Sequence, residues 1–420
     1  MTLDARARHA ARDFRDALED MDHSAPELRS VERFDRYRRS RERNRRLSAA
    51  VLAVIVSVAA VTLAVRALRP TRHEVPANPP VPTGLIVFNE DFVQNGSDFF
   101  RSFTVRPDGS ERTQVGPAGP TSCGGNDDPW STDGRKILCL VFPPDLTVGT
   151  ATVDADGSHY RELSNPNLPA SFGCGAWSPD GTRLLCPYTS DYVYTVRPDG
   201  TGLLQLTTVS AGEGPSGYAK DGSHAYFTVL DATQHRTLYS IKTDGSGGLV
   251  ALSPHSVSVH DNDYFDGVSA DSSPDGSAVV FAADVTNTEK ALYVVNIDGS
   301  APHQLKTPAG VDPTSAQWSP DGNWIAFSGR DPTFNDSFEV YLIHPNGSGL
   351  REITSPTQGC SSFAPIWSPD GTKLLFETQC YRGSTVISTS LETSNLDGTG
   401  LSKAADLNGL TAYGWGRLAT

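Results

Sequence analysis

A five-residue phrase, Trp-Ser-Pro-Asp-Gly, recurs along the chain and limits its fold more than any other feature. Full copies lie at 177–181, 318–322 and 367–371, and weaker copies lie at 130–134, 218–222 and 272–276. Pro presets φ for a turn, Asp caps the turn, and Gly supplies the positive φ that the turn needs. Repetition of such a phrase predicts a repeat architecture.

A second phrase alternates with the first: a strand-like run that ends in Asp-Gly or Asn-Gly, followed by Ser or Thr. Its glycines are Gly109, Gly157, Gly200, Gly245, Gly299, Gly347 and Gly398. Their spacing of 43 to 54 residues is that of a four-stranded propeller blade. We therefore predict an all-β fold, a β-propeller of seven four-stranded blades, with six as the alternative if one weak repeat is an insertion.

The first repeat lacks the Trp phrase and begins at Gly84 with the pattern of a second strand. The segment Ala-Tyr-Gly-Trp-Gly at 412–416 resembles a first strand that never reaches its turn. We expect this C-terminal segment to complete the first blade, close the ring and remove its open edge. The aromatic residue that opens each phrase, such as Trp318, is expected to pack between blades in a structural role.

Charge is divided unevenly between the two parts of the chain. Residues 1–82 contain 16 Lys+Arg and 11 Asp+Glu, a net charge of +5, whereas 83–420 contain 19 and 38, a net charge of −19. The acidic body argues against nucleic-acid binding, because phosphate contacts need Lys and Arg. Eight arginines lie in 33–46, directly before 19 uncharged residues at 47–65. A helix of that length extends about 28 Å, enough to cross a bilayer core.

These patterns predict four regions. They are a cytoplasmic Arg-rich tail with a short helix (1–46), a transmembrane helix (47–65), a Pro-rich linker (66–82) and the propeller (83–420). The positive-inside rule places the N-terminus in the cytoplasm and the propeller outside a single-pass anchor in the cell membrane. Contact of the arginines with anionic lipid accounts for them without a nucleic acid.

The repeats resemble those of a known family. The Trp-Ser-Pro-Asp-Gly turn, the following strands at 182–186 and 372–376 and the Asp-Gly-Ser/Thr ending resemble the TolB-like β-propeller repeat, over nearly all of 83–420. The resemblance implies a propeller. The family includes periplasmic scaffold proteins, and prolyl-oligopeptidase-type peptidases combine the same repeat with an α/β-hydrolase domain. The predicted anchor takes the place of the N-terminal domain of TolB, so the partners of TolB are not carried over.

Six cysteines lie in the propeller, and an even number in an exported domain predicts disulfides. If Trp177 lies opposite Arg183, Cys174 lies opposite Cys186. If Trp367 lies opposite Lys373, Cys360 lies opposite Cys380. The third pair, Cys123 and Cys139, falls out of register and would need a bulge or loop excursion. Spacing of the C-x-x-C type, which zinc would need, is absent from the sequence.

The loops that precede the innermost strands form the predicted binding face. The candidate ligand-binding residues there are Asp127, Asp128, Glu213, His260 and Asp312. The candidate calcium ligands, at roughly alternating positions of one loop, are Asp261, Asp263 and Asp266. Ordinary Asx turns are the alternative for these acids. No other cofactor is expected.

Three functions remain open at this level. The sequence contains no G-x-S-x-G, H-E-x-x-H or P-loop motif, so we expect no enzyme and assign no catalytic residue. The leading hypothesis is a non-enzymatic, membrane-anchored extracytoplasmic scaffold that binds a protein or cell-envelope ligand. The alternatives are a hydrolase or lyase that acts on envelope polysaccharide or peptide, with His255 and His260 near the loop acids, and a transmembrane or anti-sigma-type regulator.

Overall fold

The computed structural model describes most of the propeller region, which belongs to one compact unit, residues 82–420. Described are residues 84–416 except 95–96, 125–128, 144–146, 165–166, 170, 190–191, 210–215, 260–269, 287–288, 309, 332–336, 356–358, 384 and 408–412. These residues form strands and turns, with no helix among them.

The strands form seven antiparallel blades, which we label A to G, and each blade has four strand positions. Blade A contains β1 (Leu85–Gln94), β2 (Ser97–Val105) and β3 (Thr113–Gly119). Blade B contains β4 (Thr121–Cys123), β5 (Lys136–Val141), β6 (Gly149–Asp154) and β7 (Arg161–Glu162). Blade C contains β8 (Phe172–Gly173), β9 (Ala176–Trp177), β10 (Leu184–Cys186), β11 (Tyr188–Thr189), β12 (Tyr194–Val196) and β13 (Leu204–Gln205). In blade C, β8 and β9 share the innermost position, and β8 pairs with β11.

The remaining four blades follow the same order. Blades D to G contain β14 (Ser216–Tyr218), β15 (His224–Leu230), β16 (Arg236–Lys242), β17 (Val250–Ala251); β18 (Ser258–Val259), β19 (Ala270–Ser272), β20 (Ala278–Thr286), β21 (Glu289–Asn296), β22 (His303–Gln304); β23 (Asp312–Trp318), β24 (Ile325–Asp331), β25 (Ser337–Ile343), β26 (Arg351–Glu352); and β27 (Cys360–Trp367), β28 (Lys373–Arg382), β29 (Thr385–Asn395), β30 (Ser402–Leu407). In blade E, β18 and β19 share the innermost position and both pair with β20.

The ring is closed by the last described strand, β31 (Tyr413–Gly416), which is the innermost strand of blade A. It pairs with β1 through four residue pairs, among them Ile86 opposite Trp415. Trp415 is buried in a cluster that also contains Leu375 of blade G, so the strand joins the first blade to the last. The predicted seven blades and the predicted closure are both confirmed.

The Trp-Ser-Pro-Asp-Gly phrase forms the expected turn between the first and second strands of a blade. In blade C the Ser178 hydroxyl donates to Asp180 at 2.6 Å, and the Gly181 N–H donates to the Ser178 carbonyl at 2.8 Å. Gly181 has a φ of 69°, which favours glycine. The bond from Ser178 holds the pKa of the Asp180 carboxyl below its usual value. Ser and Asp thus stabilise the turn locally, which explains why the phrase recurs.

The register at the turn differs by one residue from the prediction. Trp177 lies opposite Leu184, and Trp367 lies opposite Leu374, so the expected partners Arg183 and Lys373 are wrong. In blade G a bulge between Phe363 and Ile366 shifts the strands back, and Cys360 then lies opposite Cys380. A bulge adds one residue to one strand, which is the size of the error.

All three predicted disulfides are present: Cys123–Cys139, Cys174–Cys186 and Cys360–Cys380. Cys123 lies directly opposite Cys139 in the β4–β5 pair, whereas Trp130 bridges to Ile137. The two pairings are out of register with each other, as the predicted loop excursion requires.

The three disulfides differ in exposure, and we expect them to be reduced in a fixed order. Cys360 and Cys380 are half-buried, whereas the other four cysteines are at most 1% exposed. Under native conditions with limiting reductant, alkylation and mass spectrometry should find free thiols first at Cys360 and Cys380, because a thiolate must reach the disulfide. The same measurement in denaturant is the control and should show no such order. Earlier labelling of Cys174 and Cys186 would contradict the expectation.

No helix among the residues that the structure describes is long and apolar enough to cross a membrane. The predicted tail (1–46), transmembrane helix (47–65) and linker (66–82) lie outside those residues. They stay predictions.

Candidate functional site

A cavity of about 500 Å³ lies where the innermost strands end and the Trp-Ser-Pro-Asp-Gly turns begin, and we call it the turn-end cavity. Its volume falls within the range of about 300–1,000 Å³ that is typical of ligand pockets. Four turn prolines contribute to its wall: Pro179, Pro274, Pro320 and Pro369.

Nearly every blade contributes at least one aromatic residue to the lining of this cavity, and six of these residues open the repeat phrase or occupy the matching position in β31. The six are Trp130, Trp177, Tyr218, Trp318, Trp367 and Trp415. Each is at most 9% exposed, because its ring also packs between blades; Trp318, for example, shares a cluster with Val280 and Leu292 of blade E. The predicted packing between blades is therefore confirmed, but the same residues also form the cavity wall.

Two of the indoles bond across blade boundaries. The Nε1–H of Trp177 donates to the Pro129 carbonyl of blade B at 3.1 Å, and the Nε1–H of Trp367 donates to the Gln317 carbonyl of blade F at 3.2 Å. In both cases the acceptor precedes the aromatic residue of the neighbouring blade. These bonds fix the aromatic wall of the cavity relative to the blades.

Blade E breaks the aromatic ring with a small polar residue, Ser272. The Ser272 hydroxyl accepts a hydrogen bond from the Lys220 backbone N–H at 3.1 Å and donates to the Tyr218 carbonyl at 3.2 Å. A hydroxyl therefore joins blades D and E where other blades use an aromatic ring.

The charges of the cavity lie at the same break. Among the described lining residues, Lys220 of blade D supplies the basic side chain and Asp271 of blade E supplies the acidic one. The Lys220 Nζ lies 3.7 Å from the Asp271 Oδ1, and the side chains are 42% and 15% exposed. Asp271 also accepts the backbone N–H of Ser272 and of Trp318, each at 2.9 Å. The carboxylate thus accepts two backbone donors, and Lys220 is the more exposed member of the pair.

Two tyrosines of blade D, Tyr218 and Tyr226, also line the cavity. Burial raises the pKa of Tyr218 to about 12, and its hydroxyl lies 2.9 Å from the Thr195 hydroxyl. Tyr226 is 4% exposed, and its hydroxyl lies so close to Gly217 that a Cβ there would be 2.4 Å away. A side chain at Gly217 would therefore displace Tyr226 from the cavity wall. The arrangement provides a cavity whose lining is about equally polar and apolar, with the Lys220–Asp271 pair on one side.

The structure places one of the predicted site residues. Asp312 begins β23, at the other end of the strand from Trp318, and its carboxylate lies 3.6 Å from the guanidinium of Arg330. It is not among the described residues that line the turn-end cavity. The other candidates lie outside the described residues: Asp127, Asp128, Glu213, His260, Asp261, Asp263 and Asp266.

The predicted calcium site stays a prediction for the same reason. Within the described parts of 84–416, no group of three or more His, Cys, Asp or Glu side chains is arranged to hold a metal ion. That statement does not reach the loop at 260–269, where the candidate ligands lie.

Sequence reasoning placed the site at the loops before the innermost strands and missed the cavity at their other end. Two weak copies of the repeat phrase could have indicated this cavity. Tyr-Ala-Lys-Asp-Gly has Lys220 where most copies have Pro, and Ser-Ser-Pro-Asp-Gly has Ser272 where most copies have an aromatic residue. Local departures from a repeating pattern are expected at functional sites.

No protein-family model matches the chain. The chain is 31% identical over 138 residues to the "Uncharacterized peptidase YuxL" of Bacillus subtilis (strain 168), a match that covers 31% of this chain and 19% of that protein. The chain thus spans about a fifth of the relative's length.

Two solved structures resemble the fold. The β-propeller domain of the Trilobed protease from Pyrococcus furiosus is 10% identical with a TM-score of 0.54, covering 77% of this chain and 95% of that chain. TolB from Acinetobacter baumannii is 15% identical with a TM-score of 0.44, covering 79% and 82% respectively. Together with the seven blades described above, the first likeness confirms a seven-bladed β-propeller as the fold.

The prediction that the chain is not an enzyme is wrong on these findings. A protein that is 31% identical to this chain over 138 residues is named a peptidase, which contradicts that prediction. The sequence argument failed because it equated the lack of a few known motifs with the lack of activity. Catalytic groups need only the right geometry, which no short motif is required to encode.

Proposed function

We propose that this propeller binds peptides in the turn-end cavity and takes part in peptide hydrolysis. The observation that carries the proposal is the cavity itself, with aromatic and proline side chains in its walls and the Lys220–Asp271 pair on one side. A peptide offers both matching features, because apolar side chains suit the walls while backbone and terminal groups suit the polar side. The peptidase name of the relative supports peptides as the ligand class.

We further propose that the propeller works outside the cytoplasm, on a single-pass anchor formed by 47–65. Three disulfides with no free cysteine among the described residues support an oxidising compartment. A protein or cell-envelope partner at this propeller, which was the leading hypothesis from the sequence, then becomes the source of the bound peptide.

Filling the cavity should abolish peptide binding. Gln317 is half-buried on the innermost strand of blade F and lines the cavity, while its carbonyl bonds to Trp367 through the backbone alone. Gln317→Trp is therefore expected to occupy the cavity, keep that bond and weaken binding about tenfold or more, a loss of at least about 1.4 kcal/mol. The measurement is fluorescence polarisation of fluorescein-labelled hexapeptides with the purified full-length chain.

The matched control is Val386→Trp, which adds an indole at a 46% exposed position on β29, away from the cavity lining. It should bind like the wild type. Hydrolysis of the same peptides is followed by mass spectrometry and should fall with binding in Gln317→Trp. If the wild-type chain binds none of the peptides, or if Gln317→Trp binds them unchanged, the proposal is wrong.

A further inference from the structure

The charge distribution in the turn-end cavity identifies which part of a peptide it holds. We propose that the cavity recognises the free C-terminal carboxylate of a peptide, with Lys220 as its counter-ion and the last side chain of the peptide against the apolar wall. This inference rests on the proposed function. Within the described lining, Lys220 is the basic residue of a cavity in an otherwise acidic body. A cation at such a position attracts a carboxylate and repels an amine.

The position of Lys220 supports this role. In blade C, the corresponding turn residue is Pro179, and in blade F it is Pro320, both of which also line the cavity. Proline presets the φ angle that this turn position needs, so a lysine there stabilises the turn less than proline would. Its side chain is 42% exposed, so the ammonium is accessible to solvent at the cavity wall.

Asp271 favours the carboxylate over the alternative ligand, an N-terminal amine. Its two oxygens accept the backbone N–H groups of Ser272 and Trp318, and its side chain is only 15% exposed. An amine would have to compete for lone pairs that already stabilise the junction of blades E and F. Asp271 therefore acts as a positioning residue that holds the Lys220 ammonium at the edge of the cavity.

The apolar end of the ligand has a matching wall. Away from Lys220, the lining includes Trp367 and half-buried Ile366 of blade G, together with Gly414 and Trp415 of blade A. Apolar surface buried there contributes about 25 cal/mol per Å², so a large apolar last residue should bind better than Gly or Asp. The cavity is thus expected to select C-termini by charge and by the final side chain.

The test compares pairs of fluorescein-labelled hexapeptides ending in Leu, one with a free C-terminus and one with a C-terminal amide, on the full-length chain. We expect amidation to weaken binding about 10- to 100-fold, as for loss of a charged hydrogen bond. Lys220→Gln should weaken the free acid alone and remove the difference, and Lys220→Arg should restore much of it. Lys242→Gln, an exposed lysine at the end of β16 in the same blade, is the matched control and should behave as the wild type.

The outcomes separate the two proposals. If acid and amide bind equally and Gln317→Trp abolishes both, peptide binding in the cavity stands and carboxylate recognition is wrong. If acetylation of the N-terminus, rather than amidation of the C-terminus, abolishes binding, Asp271 recognises an amine and the inference is again wrong. If neither peptide binds, the proposed function fails as well. Thermal unfolding of each variant checks that the fold is kept.

Discussion

Trp415→Ala is expected to destabilise the propeller by about 3–5 kcal/mol, the usual cost of truncating a buried aromatic residue. Trp415 is 7% exposed and lies in the cluster that joins blades A and G. It also sits on the four-residue strand β31, whose four pairs with β1 complete blade A. The loss therefore combines a cavity in the core with a weakened closure of the ring.

The free energy of unfolding is measured by urea titration with circular dichroism, and backbone hydrogen exchange follows β1 and β31 separately. The matched control is Trp324→Ala. That indole is half-buried, stacked on the His344 ring at a centroid distance of 3.7 Å and contacted by the Arg351 guanidinium. Its loss should cost no more than about 2 kcal/mol. Equal losses in the two variants, or unchanged exchange in β1, would show that Trp415 does not hold the ring closed.

A second large effect concerns pH. Glu339, on the third strand of blade F, is 1% exposed. The Thr354 hydroxyl donates to its Oε2 at 2.6 Å, whereas its buried Oε1 has no hydrogen-bond partner among the described residues. Burial raises the pKa of Glu339 from 4.5 to about 7, and the neighbouring charge of Glu352 acts in the same direction.

The sign of the pH effect follows from this direction. The folded state holds the proton more tightly than the unfolded state, so the stabilisation is complete below about pH 4.5 and is lost as pH rises through about 7. At 1.36 kcal/mol per pKa unit, the loss is about 3 kcal/mol. Glu339→Gln keeps the shape without the charge, and its free energy of unfolding should not show this fall between pH 5 and 8.

Glu352→Gln is the control for this experiment. Glu352 is exposed on β26, so its removal should lower the pKa of Glu339 slightly and leave most of the pH dependence in place. Urea titrations at pH 5, 6, 7 and 8 give the comparison. A wild-type protein whose stability rises over that range relative to Glu339→Gln would contradict the argument.

The fold could be predicted because its determinants are local. Each turn is made by residues within one phrase, as Ser178 and Asp180 show, so counting phrases counts blades. The closing strand followed from a phrase missing at one end and present at the other. The register was wrong by one residue at Trp367 because the bulge between Phe363 and Ile366 is set by packing around the strand and leaves no mark in a periodic pattern.

The candidate site was harder because it exists only in the assembled ring. Lys220 and Ser272 are 52 residues apart in sequence and come into contact because blades D and E are neighbours. The burial of Glu339 likewise depends on tertiary packing, since its sequence context reads as an ordinary alternating strand. The sequence shows which residues differ from the repeat pattern, whereas the structure shows which of these residues lie in contact with one another.

The way in which blade A is assembled also has a consequence for biosynthesis. Its second strand, β1, opens the described chain and its innermost strand, β31, ends it. Until β31 has been made, β1 presents an unpaired strand edge, and contacts so distant in sequence form slowly. A polypeptide that emerges N-terminus first would carry this open edge until all the other blades have been made. Protection of β1 during that interval, by a chaperone or by rapid completion of the chain, should therefore limit the yield of native protein more than the folding of any single blade does.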